Sequence, residues 1–228
     1  NIKKKKEIKN LRKKILSVFS QASQLNGFKK ITNDNQIGSL YNHNKKIWVA
    51  AYDQIRMLPE INDIIDKNLI KTISKKAKIK FPAFTSRPVI RVCMPEDRGT
   101  SRVKQHIDYP THRGSSNAVT IWIPLQDTNE ENGALKLSTK SHTKKNYYGS
   151  ILKNSVVRKD NIMESNLVSL PAKIGQAIIF SHFTVHESGQ NLSNTIRFSL
   201  DFRLNDLNNK MYAKRKYYLN EKILFKKI

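Results

Sequence analysis

A chain of 228 residues with 42 Lys and Arg against 18 Asp and Glu, a formal charge of +24, is long enough for one sizeable core. The single cysteine, Cys93, excludes an internal disulfide and any cysteine-based zinc site, and its apolar setting in "VIRVCMP" suits a buried, inert thiol in a reducing compartment. No apolar run spans a bilayer, and the N-terminus "NIKKKKEIKNLRKKILSVFS" lacks the apolar centre and cleavage site of a signal peptide, so a soluble, cytoplasmic protein is expected.

In chain order, Ile8, Leu11, Ile15 and Val18/Phe19 recur at three- and four-residue steps and predict an amphipathic helix over residues 7–19, docked on the core or, as the lesser alternative, on a membrane surface. Trp48, Ala51, Tyr52, Ile55 and Leu58 mark a second helical face. Ile61, Ile64, Ile65, Leu69 and Ile73 mark another, opened by Pro59. After Pro82 the pattern changes to short β-type runs: "PVIRVCM", "AVTIWIPL", "ALKLS", "LVSLPA", "QAIIFSHFTVH" and "TIRFSLDFRL". Many short strands and no Gly-rich phosphate loop indicate a sandwich or barrel, not a nucleotide-binding βαβ sheet. No linker divides the chain. We expect one domain over 1–228, mainly β with flanking helices: helices to about residue 80, a β core over about 81–205 and a basic segment over 206–228.

The last strand is the most legible. Phe198, Leu200, Phe202 and Leu204 alternate with Arg197, Ser199, Asp201 and Arg203, which suits either a half-exposed strand or a barrel strand with helices outside and a site inside.

The positive charge has two readings. Dispersed lysine amid abundant Asn and Ile indicates a general residue bias, which speaks to non-specific association and not to chemistry. A basic nucleic-acid-binding protein on a barrel scaffold is the alternative, and would show aromatic side chains interleaved with Lys or Arg in one groove. The densest basic segments, "KKKKEIKNLRKK" and "KRKYYLNEKILFKKI", are where such a partner would attach; no specific nucleic acid is expected.

Chemistry centres on "QHIDYP". On an extended chain His106 and Asp108 point to one face and reach a single ion, though a surface His and Asp beside a turn would read the same. About 80 residues later, "HFTVHESGQNLSNTIRFSLDFR" supplies His186, Ser188 and Arg197. His182, four residues before His186, competes with it for a ligand role, while His112 and His43 are expected at surfaces.

In order and spacing, "HID", "VTIWIPL", "ENGALKLSTKSH", "HESGQN" and Arg197 resemble the phytanoyl-CoA dioxygenase family of Fe(II)- and 2-oxoglutarate-dependent oxygenases, over roughly residues 89–204. The chain departs from many relatives at "STKSH" and at Gly175-Gln176, in loops and not at a ligand. The resemblance implies a double-stranded β-helix, a jelly-roll core. It implies His106, Asp108 and His186 as catalytic metal ligands for Fe(II), with 2-oxoglutarate and O2 as co-substrates and oxidative decarboxylation to succinate and CO2. Trp122 falls near the iron pocket or simply in the core, and His142 in a turn over the site. Retention of Asp108 favours hydroxylation, since halogenating relatives lack this carboxylate.

Two histidines and a carboxylate on one face of an octahedral ion leave three adjacent positions open, as in non-haem iron oxygenases; zinc would accept the same ligands, so a zinc-dependent hydrolase or isomerase is a further alternative. Arg197 favours the first reading: a 2-oxo acid that chelates iron has a distal carboxylate, which a guanidinium binds in a charge-assisted fork, with the Ser188 hydroxyl as second donor. Arg91 is expected to meet a carboxylate of co-substrate or substrate, and Arg203 is a further substrate candidate. The expected substrate is a small molecule, sugar-like or nucleotide-linked, with a fatty acyl-CoA as the alternative, selected by a lid over Lys144–Asn166.

Overall fold

The computed structural model describes residues 2, 4–95, 103–112, 114–143 and 166–209. Helices α1 (Lys5–Leu25), α2 (Asp34–His43), α3 (Lys45–Ile55), α4 (Ile61–Ile64) and α5 (Lys67–Ala77) come first. Strands β1 (Pro82–Phe84) and β2 (Val89–Cys93) follow, then the short α6 (Tyr109–His112). The remaining strands are β3 (Val119–Pro124), β4 (Leu135–Ser138), β5 (Leu167–Leu170), β6 (Ile178–Ser181), β7 (His186–Ser188) and β8 (Arg197–Asp206).

The apolar stripe of α1 is buried through Ile8, Leu11, Ile15 and Phe19, so this helix docks on the core. The stripe expected to continue from Ile61 to Ile73 breaks instead at Asp66. Its carboxylate accepts the Leu69 backbone N–H at 2.8 Å, capping a new helix. The sequence reading passed over α2, whose short "DNQIGSLYNH" is capped by Asn33 accepting from Gln36 N–H. Among the described residues no helix is long and apolar enough to cross a membrane.

The strands form two antiparallel sheets. In the five-stranded sheet the order is β1-β8-β3-β6, with β2 also pairing to β8; the three-stranded sheet runs β5-β4-β7. All ten residues of β8 are buried, which excludes the half-exposed reading of its alternation. Phe198, Leu200, Phe202 and Leu204 join Ile90, Ile121 and Ile123 in one cluster with the helical residues Ile15, Phe19, Trp48 and Ile55. The opposite face faces inward. Ladder partners share a face, and the register sets Arg91 beside Ser199, Cys93 beside Arg197, Trp122 beside Asp201 and Thr120 beside Arg203. The second sheet meets this face through Leu135, packed with Trp122 and Phe180. Helices outside and polar residues inside is therefore the physical cause of the β8 pattern. The fold is mixed, N-terminal helices plus two antiparallel sheets, consistent with a double-stranded β-helix.

Two expectations about strands need correction. His106 is not within a strand: it forms a single antiparallel bridge to His186, and Asp108 stands just before α6. "QAIIFSHFTVH" is not one strand either, because β6 ends at Ser181 and a turn separates it from β7 in the other sheet. His182 and His186 thus share no strand face. The lid expected over Lys144–Asn166 lies, apart from Asn166, outside the described residues, as does the basic terminus from 210 onward.

Candidate metal centre

His106 and His186 are held together by their backbones, each donating its N–H to the other's carbonyl at 2.9 Å. Their side chains are oriented in the same manner. His106 Nδ1 lies 2.7 Å from the Lys104 carbonyl and His186 Nδ1 lies 2.9 Å from the Thr184 carbonyl. A carbonyl only accepts, so each Nδ1 carries the proton and each Nε2 presents a lone pair. Both lone pairs face Asp108, whose Oδ1 lies 3.5 Å from His106 Nε2 and 3.9 Å from His186 Nε2. The three ligand atoms fall within 4.8 Å of one another. A His–Asp–His triad with this donor set fits one divalent iron and leaves positions open for other ligands.

Asp108 is buried, which by itself raises its pKa; the Arg203 charge and the neighbouring histidines outweigh burial and hold it well below the usual carboxylate range. Arg203 meets it with two bonds, Nε to Oδ2 at 3.1 Å and Nη2 to Oδ1 at 3.2 Å, and the Thr120 hydroxyl donates to Oδ2. Burial pushes His186 down to about 4 against the opposing pull of Asp108, so the imidazole is neutral and ready to bind metal at physiological pH.

His112, expected at a surface, stands against the site instead. Its Nε2 is 3.9 Å from Asp108 Oδ1, and burial together with the Arg203 charge lowers it to about 4. The one-turn helix after Asp108 carries it inward. His43, by contrast, is on the exposed last turn of α2, its Nδ1 2.7 Å from the Ser39 carbonyl.

These shifts predict a pH-dependent stability for the metal-free protein. Both His112 and His186 sit below the ordinary histidine value of 6.5 when folded. Between pH 6.5 and 4 the unfolded chain therefore takes up protons that the folded chain refuses, so stability falls as pH drops through that window. Asp108 acts in the same direction at lower pH, because its folded value is below 3.8 and its contribution is lost as acid protonates it. Urea midpoints at pH 7, 5.5 and 4.5 should decline in order, and the decline should shrink in His112→Gln. A midpoint flat from pH 7 to 4.5 would contradict the burial of neutral imidazoles.

At the triad opens a cleft lined by His106, His186 and residues of both sheets, among them Arg91, Trp122, Leu135, Phe180, Ser188 and Asp201. The inner face of the first sheet carries three arginines, and their partners separate them. Arg203 donates to Asp108 and, through Nη1 at 2.8 Å, to Asp201; Arg91 donates through Nε to the other Asp201 oxygen at 3.2 Å. Arg203 is thus occupied by protein carboxylates, and its expected substrate role is not supported. Arg197 differs. It is 2% exposed, stacks 5.6 Å from the Trp122 ring and donates to Ser199 Oγ at 2.8 Å. Among the described residues no carboxylate lies within ion-pair distance, and Nε has no hydrogen-bond partner. A buried cation without a carboxylate partner is costly. Arg197 is not itself on the cleft wall, but Trp122 and Ser199, which it contacts, are.

His182 is buried and close enough to influence Asp108, yet it is outside the triad's ligand cluster. In the "STKSH" turn, Ser141 Oγ donates to the Ser138 carbonyl and accepts the Val185 N–H at 2.9 Å, fastening the residue before His186. The Asn-Gly turn abuts the same strand. Gly133 has φ +82°, and a Cβ there would meet the Gly189 carbonyl at 2.8 Å. The sequence reading missed Thr120 and Asp201, although the alternation in "RFSLDFR" places Asp201 on the face that carries Arg197 and Arg203.

Comparison with known proteins adds three findings. AviO1 from Streptomyces viridochromogenes Tue57 superposes with a TM-score of 0.50 at 18% identity, covering 66% of this chain and 62% of its own. EvdMO1 superposes with a TM-score of 0.52 at 19% identity, covering 65% of this chain and 33% of its own. The shared region is less than two thirds of either neighbour, and the likeness concerns the fold. No curated protein matches the sequence significantly. The family model for phytanoyl-CoA dioxygenase (PhyH) matches residues 7–199, running from the first helix through all three metal ligands into β8. The chain belongs to the phytanoyl-CoA dioxygenase family of iron- and 2-oxoglutarate-dependent oxygenases.

Proposed function

We propose that this single domain, a double-stranded β-helix backed by its N-terminal helices, hydroxylates a small molecule with Fe(II), 2-oxoglutarate and O2. His106, Asp108 and His186 hold the iron, and Arg197 anchors the distal carboxylate of 2-oxoglutarate with help from Ser188. Carrying this reading is the contrast among the arginines: Arg91 and Arg203 have carboxylate partners, and the fully buried Arg197 has none within ion-pair distance among the described residues. A hydrolytic zinc site has no need of such a group.

When bound, iron with 2-oxoglutarate and O2 supplies the oxidation, releasing succinate and CO2 and delivering one oxygen atom to the substrate. The chain's own residues do the rest. The histidine Nδ1 bonds fix both rings with Nε2 toward the ion, burial keeps His186 unprotonated, and Trp122, Leu135 and Phe180 exclude water from the inner cleft. Arg91, with a half-exposed guanidinium at the cleft, suits a polar, oxygen-rich substrate such as a carbohydrate or natural-product intermediate. The testing experiment is anaerobic iron loading followed by a succinate assay. One Fe(II) per chain and slow succinate formation from 2-oxoglutarate, even without the true substrate, are expected. Tight zinc binding with no succinate under any condition would overturn the reading.

A further inference from the structure

Asp108 has four lone-pair positions on its two oxygens, and the described residues fill three of them. Oδ2 accepts from the Thr120 hydroxyl and from Arg203 Nε at 3.1 Å; Oδ1 accepts from Arg203 Nη2 at 3.2 Å. The one position left is on Oδ1, the oxygen that faces His106 Nε2 and His186 Nε2. Arg203 is itself held in place. Its third donor, Nη1, binds Asp201 at 2.8 Å, and Asp201 is gripped from the other side by Arg91. The β-ladder sets this geometry, since Thr120 and Arg203 are direct partners across β3 and β8. Such pairing also balances charge, two guanidinium groups against two carboxylates.

We infer that Arg203, braced by Asp201 and assisted by Thr120, is a positioning residue that reserves Asp108 Oδ2 for hydrogen bonds, so that the metal is met by Oδ1 alone. The consequence is a count of open positions. A carboxylate bound through one oxygen leaves three positions beside the triad; bound through both it leaves two, enough for a chelating 2-oxo acid but not for O2 as well. This inference rests on the iron reading of the triad.

The test uses the full chain, titrated anaerobically with Co(II) and read by its visible ligand-field spectrum, before and after 2-oxoglutarate. Affinity alone is a poor readout: deleting the Arg203 charge removes a repulsion from the cation while freeing the carboxylate to wander, and these oppose each other. Coordination is the readout that discriminates. Arg203→Met should bind one Co(II) with a spectrum altered from wild type, and Arg203→Lys should fall between, as a point charge replaces a fork. Thr120→Val should shift the spectrum in the same direction by less. In the succinate assay Arg203→Met should lose about 10–100-fold in kcat with KM for 2-oxoglutarate changed by less than about threefold. Wild-type spectra in folded Arg203→Met would overturn the inference; should that variant not fold, a wild-type spectrum in Thr120→Val would do so. If the wild type bound no Co(II), or His186→Ala bound it equally well, the triad reading would fall and this inference with it.

Discussion

His106→Ala, Asp108→Ala and His186→Ala should each abolish stoichiometric Fe(II) binding and 2-oxoglutarate-dependent succinate formation. Among the described residues the site has three protein donors within 4.8 Å of one another, so each deletion removes a third of that donor set. Loss of Asp108 is the most damaging electrostatically. It removes the anionic member of the triad and leaves the buried Arg203, which donates to it twice, facing the ion with one counter-charge fewer. Loss of His186 also removes a ring whose neutral state at physiological pH is secured by burial. Iron stoichiometry by anaerobic titration and succinate by direct product assay are the measurements. His43→Ala, at the exposed end of α2, is the control and should retain both properties. A triad variant that still bound one Fe(II) and formed succinate would exclude the removed residue as a ligand.

Arg197→Met should leave iron bound while 2-oxoglutarate loses its distal anchor. Methionine keeps much of the apolar stem against Trp122 but deletes the charged fork. Hydrogen bonds to charged groups contribute about 1.5–3 kcal/mol, and a carboxylate left unpaired in a pocket costs more, so apparent affinity should fall by roughly one to two orders of magnitude. Arg197→Lys should lie between Met and wild type, a point charge standing in for a planar fork. Ser188→Ala should cost less than either. Burial makes the protein's own stability a second readout: removing a cation with no carboxylate partner among the described residues should stabilise the metal-free protein or leave it unchanged. If Arg197→Met bound iron and kept the wild-type dependence on 2-oxoglutarate, the arginine would be an ordinary strand residue and the clamp assignment would be withdrawn.

Much of this site is legible in the amino-acid order because its components are short and local. His-x-Asp, His-x-Ser and the arginine eleven residues after His186 are spacings along one or two strands, and the alternation in "RFSLDFRL" separates a helix-packed face from a polar one. Helical stripes such as Ile8, Leu11 and Ile15 are equally local, and they dock as their periodicity implies. Distinguishing a half-exposed strand from an interior barrel strand required knowing what covers the second face, which periodicity does not contain. The partners of the arginines lay further out of reach. Asp108 and Arg203 are 95 residues apart and Arg91 and Asp201 are 110 apart, so only strand pairing decides which guanidinium meets a carboxylate of the protein and which, among the described residues, does not. The same holds for His112: one helical turn after Asp108 rotates a residue that reads as surface into contact with the metal ligand, because direction is set by the backbone and not by residue type. Local pattern thus determined the ligands and the polar face; long-range pairing and burial decided the charge state, orientation and availability of each group on it.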